Sequence, residues 1–255
     1  MLKVRHVAKR FGGLQALSDV TFSVDDGQTV GIIGPNGAGK TTAFNVVTGT
    51  LKPSGGQVLF NGVDITGKPP STVVGMGLAR TFQQTSIYAG ETVEENVRRG
   101  TLWRFRRSVM AGLLPSESRR QAWNEEMERI DEIIETLGLK DVRGRVAGTL
   151  SYGLQKKTGV AIGLATHPKL LLMDEPAAGL NSQESQEFGE LITSIKARYK
   201  LSVLLVEHHI ALVRRITSKI IVIGQGKVIA EGAPDDVLSN PQVIESYLGS
   251  RHVES

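Results

Sequence analysis

The chain has 255 residues, of which 40% are hydrophobic and 22% are charged, the balance of an ordinary soluble globular protein. It contains no cysteine, which excludes disulfide frameworks, thiolate metal sites and cysteine nucleophiles, and its net charge of +4 is modest. No apolar run approaches the roughly 18 residues of a membrane-spanning helix, and the first residues lack the apolar segment of a signal peptide. We therefore expect a cytoplasmic protein.

The first part of the chain predicts short strands at Leu2–Val7, Val20–Val24 and Thr29–Ile33. A further strand at Gln57–Phe60 runs into the turn Asn61-Gly62, a dipeptide that is typical of a β-hairpin.

The third strand leads directly into a glycine-rich segment. Residues Gly34–Thr41 read G-P-N-G-A-G-K-T, the full pattern of a phosphate loop, and a helix is predicted from about Gly39. Glycine lets the backbone approach phosphates closely, while the helix N-terminus offers N–H groups to an anion. Lys40 can reach the β- and γ-phosphates, and the Thr41 hydroxyl can bind Mg²⁺. A glycine-rich turn with a solvated lysine is the less favoured alternative.

The middle and second half of the chain predict helices that alternate with strands. An apolar stripe indicates a core-packing helix that ends before Gly138; its members are Trp123, Met127, Ile130, Ile134 and Leu137. After it we predict, in order, a helix from about Ser151 to His167, a strand at Leu170–Met173, a helix with Phe188, Leu191, Ile192, Ile195 and Tyr199 on one face, and strands at Val203–Val206, Lys219–Ile223 and Gly226–Ala230. The predicted fold class is α/β, with a mostly parallel core, a small antiparallel addition and an inserted helical segment at roughly 88–160.

Two carboxylates follow the buried strand at Leu170–Met173. In open α/β sheets, ligands bind at the carboxyl ends of the strands, so Asp174 and Glu175 point to the same crevice as the phosphate loop. Asp174 can hold Mg²⁺, and Glu175 can polarise the water that attacks a γ-phosphate. His208 follows another strand and would reach the same edge, although a histidine there is more often a surface residue.

A third segment, Leu150–Gln155, precedes a predicted helix. Ser151 is a suitable N-cap, and its hydroxyl, the Gly153 N–H and the helix dipole together can bind an anion. A generic helix cap explains these residues equally well.

Five motifs in this order resemble the ATP-binding cassette of ABC transporters. They are the phosphate loop, Phe82-Gln83, Leu150–Gly153, Leu170–Pro176 and Glu207-His208. The resemblance spans nearly the whole chain. It therefore implies one nucleotide-binding domain over residues 1–255, with a P-loop NTPase core, an antiparallel β subdomain and an inserted α-helical subdomain at roughly 88–160.

The resemblance also implies a site for ATP and Mg²⁺, formed when two cassettes close head to tail. The expected nucleotide-binding residues are Phe11, Gly34, Pro35, Asn36, Gly37, Ala38, Gly39, Lys40, Thr41, Thr42 and Gln83, with Ser151 and Gly153 acting on the partner's ATP. The expected metal-binding residues are Thr41, Gln83 and Asp174, and the expected catalytic residues are Glu175 as base, His208 as the switch histidine and Lys40. Phe11 would stack on adenine, with core packing as its alternative.

Some segments are similar to the ATPases of bacterial importers of branched-chain, or hydrophobic, amino acids. They are Ala79–Gln83, Leu150–Gly153, Ala177–Asn181 and Tyr247–Gly249. Urea and lipopolysaccharide transport ATPases share some of these features. The resemblance implies an ATPase that works with transmembrane permease subunits and a second cassette, identical or paralogous. A periplasmic solute-binding protein would take part indirectly, the chain would lie at the cytoplasmic face of the inner membrane, and nucleic acid is not an expected partner.

Three residues depart from the usual cassette pattern, namely Leu154, Asn181 and His209. Two alternatives come from other functional classes. One is a soluble cassette that acts on ribosomes or DNA, and the other is a regulatory module without hydrolysis.

A basic cluster with interleaved aromatic residues lies at positions 98–107 of the chain. It comprises Arg98, Arg99, Arg104, Arg106 and Arg107, with Trp103 and Phe105. A solvated helix face or a protein contact is the simplest interpretation of that cluster. The functional alternatives are a surface for nucleic acid or lipid headgroups and a contact with the permease.

Overall fold

The computed structural model describes residues 1–81, 87–102 and 116–249. The strands in these ranges are β1 (Leu2–Phe11), β2 (Leu14–Val24), β3 (Thr29–Ile33), β4 (Gly55–Phe60), β5 (Val63–Asp64), β6 (Leu78–Thr81), β7 (Leu170–Asp174), β8 (Ser202–Val206), β9 (Lys219–Gly224) and β10 (Lys227–Gly232). The helices are α1 (Lys40–Val47), α2 (Pro70–Gly75), α3 (Val93–Arg99), α4 (Ser116–Thr136), α5 (Tyr152–Ala165), α6 (Ser182–Tyr199), α7 (Ile210–Ile216), α8 (Pro234–Leu238) and α9 (Pro241–Gly249). Two short 3₁₀ turns lie at Lys140–Val142 and Ala147–Thr149. No helix within the described residues is long and apolar enough to cross a membrane.

A parallel sheet forms the centre of the fold. Strands β9, β3, β8, β7 and β6 lie side by side in this order, and each neighbouring pair runs parallel. Every residue of β3, β7 and β8 is buried, as expected for parallel strands that are covered by helices on both faces. The prediction of a mostly parallel α/β core is confirmed.

An antiparallel layer continues the sheet beyond β10. Strand β1 pairs antiparallel with β2 and β4, and β4 pairs with β5 across the turn Asn61-Gly62, in which both residues have positive φ. The predicted hairpin is therefore present. Strands β1 and β2 are longer than the sequence predicts, since β1 continues to Phe11 and β2 starts at Leu14. Apart from the buried Leu17, the added residues are partly or fully exposed, so they give only a weak core-facing pattern.

The helices between β6 and β7 pack on one another in the region of the predicted inserted segment. Apolar side chains from α3, α4 and α5 belong to one buried cluster, for example Val97, Ile130, Ile134 and Leu164. Helix α3 begins with a capping box in which Thr92 and Glu95 exchange hydrogen bonds. The division into one domain with an inserted helical subdomain stays a prediction.

The prediction that Trp123 packs in the core as part of the apolar stripe on α4 is wrong. Trp123 keeps 43% of its surface exposed, whereas Ile130, Ile134 and Leu137 are buried. The 3.6-residue period places Trp123 on the correct side of the helix, but it lies about one turn before Met127, the first residue of the stripe that packs against the buried cluster. Periodicity alone therefore does not locate where a helix enters the core.

We predict that Ile134→Ala lowers the free energy of unfolding by about 2–5 kcal/mol, because it removes a fully packed side chain and leaves a cavity. Urea unfolding followed by circular dichroism measures this loss. Glu128→Ala, an exposed position on the same helix, serves as the control and should change stability by less than about 0.5 kcal/mol. Equal losses for the two variants would contradict the described packing of α4.

Candidate functional site

Three of the parallel strands end at one edge of the sheet, and each leads into a loop with polar side chains. The registers Ile32↔Val206 and Asp174↔Val206 bring the ends of β3, β8 and β7 level with one another. The residues that follow these strands are the phosphate loop, Glu207-His208 and Glu175. Folding therefore brings together segments that are far apart in the sequence.

The phosphate loop needs glycine at two positions where other backbone lies very close. A Cβ atom at Gly34 would lie 2.0 Å from the Ile223 carbonyl oxygen, and one at Gly39 would lie 2.7 Å from the carbonyl oxygen of Ala16. Both glycines have positive φ, at 149° and 104°. Helix α1 starts immediately after Gly39, and no side chain of the described residues caps it. Its first N–H groups are therefore free to bind an anion.

Lys40 is buried at the start of α1 and turns back over its own loop. Its Nζ donates hydrogen bonds to the carbonyl oxygens of Gly34, at 2.7 Å, and Pro35, at 2.8 Å. Burial lowers the pKa of Lys40, while the carboxylates of Glu175 and Asp174 act in the opposite direction. The predicted lysine and both predicted acids thus lie within electrostatic range of one another.

Asp174 is fixed by an arginine that sequence reasoning did not assign to the site. The Arg80 guanidinium donates to Oδ2 of Asp174 at 2.6 Å and to Oδ1 of Asn45 at 2.5 Å, and it lies 5.1 Å from the centre of the Phe44 ring. Burial raises the pKa of Asp174, and the neighbouring Arg80 opposes that shift. The only available signal was the arginine's place just before Phe82-Gln83, which does not predict a contact with Asp174.

Glu175 and His208 form a direct contact. Oε1 of Glu175 lies 3.0 Å from Nε2 of His208, and the His208 side chain is exposed. Glu175 has a φ of 49°, in the left-handed region that non-glycine residues seldom adopt. Such strain is typical of functional positions and persists only where the surrounding structure holds the backbone.

The remaining predicted site residues fall into three groups. Phe11 is 48% exposed on β1, so core packing does not explain it, and Lys9 Nζ lies 5.0 Å from its ring centre. Ser151 precedes α5 and makes no side-chain capping bond within the described residues, and it lines a surface hollow together with Gly153 and Leu180. Gln83 lies outside the described residues.

The three departures from the cassette pattern have local structural roles. Asn181 caps α6 in a capping box with Glu184. His209 Nδ1 lies 2.9 Å from the hydroxyl oxygen of the buried Ser185. Leu154 is half-buried against the large apolar cluster that includes α5. The three departures therefore have local capping, hydrogen-bonding or packing roles. Lys40, Glu175 and His208 are all present in the chain.

The oxygen donors at the site fit a magnesium ion that is bound together with phosphates. Oδ1 of Asp174 is buried and has no hydrogen-bond partner among the described residues, and the side chain of Thr41 is exposed at the first turn of α1. Mg²⁺ prefers oxygen ligands and is commonly bound by one or two protein groups plus substrate phosphates. No cluster of three or more histidine and carboxylate side chains that could hold a metal by itself occurs in the described ranges.

The basic cluster is partly neutralised within the chain. Arg98 lies 2.5 Å from Glu94, and Nε of Arg99 donates to Glu91 at 2.6 Å while the guanidinium stacks on Tyr88. Its other members, Trp103, Phe105, Arg104, Arg106 and Arg107, lie outside the described residues.

Comparison with known proteins gives one consistent family. Residues 17–178 match the family described as ABC transporter, and residues 227–253 match the family described as branched-chain amino acid ATP-binding cassette transporter. Over 249 residues the chain is 39% identical to the high-affinity branched-chain amino acid transport ATP-binding protein BraF of Pseudomonas aeruginosa, with 98% of each chain covered.

Solved structures agree with these sequence matches. The ADP conformation of an ATP-binding cassette of an ABC transporter is 34% identical, with a TM-score of 0.84 and 98% of both chains covered. A dimeric cassette in a post-hydrolysis state, bound to ADP and phosphate, is 25% identical, with a TM-score of 0.75, covering 92% of this chain and 99% of that one. The chain therefore belongs to the ABC transporter family, as one of its ATP-binding cassettes.

Proposed function

We propose that the protein hydrolyses ATP and thereby powers the import of branched-chain amino acids through a membrane permease. The observation that carries this proposal is the Glu175–His208 contact of 3.0 Å at the same sheet edge as the buried Lys40. The similarity to BraF over 98% of both chains supports the amino-acid substrate.

The phosphate loop supplies binding and charge stabilisation. The backbone of Gly34–Thr42 and the N-terminus of α1 hold the phosphates, and Lys40 stabilises the charge that develops on the transferred phosphoryl group. The exposed Phe11 provides a flat surface for adenine. Bound between these groups, the γ-phosphate would face Glu175 and His208.

Glu175 acts as the general base. Its carboxylate accepts a proton from the attacking water, and His208 keeps the carboxylate and the γ-phosphate in place. Thr41 and Asp174 would hold Mg²⁺, with Gln83 as a further ligand from the family resemblance. The ion would neutralise phosphate charge when it is bound.

Ser151 and Gly153 act on the nucleotide of a second cassette. They lie at the start of α5 with an uncapped helix N-terminus, and the hollow that they line contains no phosphate-loop residue within the described ranges. A head-to-tail dimer would place this anion-binding end against the partner's phosphates. The dimeric relative bound to ADP and phosphate supports such an arrangement.

A permease segment would dock beside the site at the cytoplasmic face of the inner membrane. A cavity of about 510 Å³ between β6, α3, α5 and α6 extends to Asp174 and Arg80 of the site, and its outer lining includes Tyr88, Arg99 and Ile162. It has both apolar and cationic walls, which suit an amphipathic helix of another protein. A periplasmic binding protein would deliver the amino acid to the permease.

Exchange of Glu175→Gln should abolish ATP hydrolysis, with a loss of about 10³-fold or more, because the amide cannot accept the proton from water. The affinity for ATP should stay within about a factor of two, since the phosphate-binding groups are unchanged. Phosphate release and equilibrium nucleotide binding measure the two effects. Turnover at the normal rate in this variant would overturn the assignment of the base.

A mixing experiment tests the shared site. Lys40→Ala and Ser151→Arg should each lose about 10²-fold or more of the activity, because each removes phosphate contacts from both sites of a homodimer. Mixed dimers contain one fully intact site, so mixing the two inactive variants should restore hydrolysis.

The control mixes Ser151→Arg with the double variant Lys40→Ala/Ser151→Arg, a combination that cannot form an intact site. Recovery of hydrolysis in both mixtures would contradict the head-to-tail arrangement. Failure to recover hydrolysis in either mixture would also contradict it, provided that the variants are shown to bind each other.

The transport assignment is tested in native membranes. The chain, purified from detergent-solubilised membranes, should retain multi-span permease subunits and a second cassette that mass spectrometry can identify. Cells that lack the chain should lose high-affinity uptake of labelled leucine, isoleucine and valine but keep that of lysine. Co-purification with ribosomes or nucleic acid in place of a permease would overturn the transport function.

A further inference from the structure

A buried carboxylate joins the two loops that carry the proposed catalytic pair. Oε1 of Glu207 accepts the Ala177 N–H at 2.6 Å, and Oε2 accepts the N–H groups of His208, at 3.0 Å, and His209, at 3.3 Å. Glu207 is 3% exposed and directly follows the central strand β8. One side chain thus binds the loop after Glu175 on one side and the loop of His208 on the other.

The backbone of Glu175 is held at several further points. Its N–H donates to the Val206 carbonyl oxygen at 2.8 Å, and its own carbonyl oxygen accepts from Nζ of Lys156 at 3.0 Å. These contacts hold the left-handed conformation of Glu175, whose φ is 49°. The bond from Ala177 to Glu207 fixes the same turn two residues later.

Lys156 supplies a positive charge that compensates the buried carboxylate. It is buried in α5, where burial lowers its pKa and the negative charges of Glu207 and Glu175 act against that shift. Burying a carboxylate is costly unless hydrogen bonds and a counter-charge compensate for it. Here three backbone N–H groups and a buried cation do so.

An apolar side chain could fill the end of β8 without this cost, but it could not bind both loops. A carboxylate has two oxygens and accepts several bonds at once, which is the property that this position uses. The side chains of Glu175 and His208 lie 3.0 Å apart and depend on the relative placement of these loops.

We propose that Glu207 is a positioning residue for ATP hydrolysis, which holds Glu175 and His208 in register by binding the backbone of both loops. It does not contact the reacting atoms. This inference rests on the proposed ATPase function.

The test is the isosteric variant Glu207→Gln in the full-length chain, assayed as the homodimer or with its co-purified permease. The amide keeps one acceptor oxygen, but its NH₂ group is a donor. It would face backbone N–H groups that are also donors, so at least one hydrogen bond of Glu207 is lost. We expect kcat to fall about 10- to 100-fold, because a small misplacement of catalytic groups is sufficient for such a loss. The Kd for ATP should change by less than about twofold, since the phosphate loop is untouched.

Hydrogen–deuterium exchange gives a readout that does not depend on activity. Peptides that contain Ala177 and those that contain His208 and His209 should exchange faster in Glu207→Gln, because their N–H groups lose a buried acceptor. Peptides from α4 should exchange at the wild-type rate.

Glu126→Gln is the matched control. Glu126 is also a buried carboxylate, 2.8 Å from Nε2 of His167, but it lies on α4 away from the sheet edge. Its exchange for glutamine should leave kcat within about twofold of the wild-type value, since its partner His167 follows the C-terminal end of α5 and belongs to neither catalytic loop.

An unchanged kcat in Glu207→Gln, or a loss of kcat no larger than that in Glu126→Gln, would overturn the positioning role. The proposed function fails separately, if the wild-type chain does not hydrolyse ATP in its transporter or if Glu175→Gln remains fully active. A wild-type ATPase that is inactivated by Glu175→Gln but not by Glu207→Gln would therefore refute only the role of Glu207.

Discussion

The site depends on charge balance at the carboxyl edge of the parallel sheet. Lys40, Lys156 and Glu207 are buried there, and Asp174 is buried against Arg80. An isolated charge in such surroundings is costly, so each needs hydrogen bonds or a partner of opposite sign. The polar groups and backbone carbonyls at the strand ends provide these partners. Within the part of the chain that the structure describes, one oxygen of Asp174 has no hydrogen-bond partner and no side chain caps α1, so both can receive a ligand.

The central strands and the phosphate loop could be predicted from the sequence because their signals are local. Continuous apolar runs indicate β3, β7 and β8, and the glycine pattern indicates the turn between β3 and α1. Strand β6 was not predicted, since Arg80 and Thr81 make half of it polar. In the folded chain, Arg80 donates hydrogen bonds to Asp174 and Asn45, which offset the cost of a partly buried charge in this strand.

The contacts that order the site could not be predicted, because they join distant segments. Lys156 on α5 donates a hydrogen bond to the carbonyl oxygen of Glu175, which follows β7. Glu207 accepts the N–H of Ala177, which lies thirty positions earlier in the chain. No residue pattern in either segment indicates the other. The motifs therefore predict the reacting groups, whereas the contacts that hold these groups become visible only in the three-dimensional fold.

The same geometry gives a physical reason for a two-subunit enzyme. Lys40, Asp174, Glu175 and His208 meet at one sheet edge, whereas Ser151 lies at the N-terminus of α5 and lines a separate hollow. A second chain can bring its own helix N-terminus to the phosphates without distorting this fold. Because the phosphates carry the negative charge that attracts that helix N-terminus, ATP itself would favour closure of the dimer, and loss of the γ-phosphate would weaken it. On the proposed function, the placement of α5 would make association of the two subunits depend on the nucleotide, and a permease docked beside α5 would sense the change.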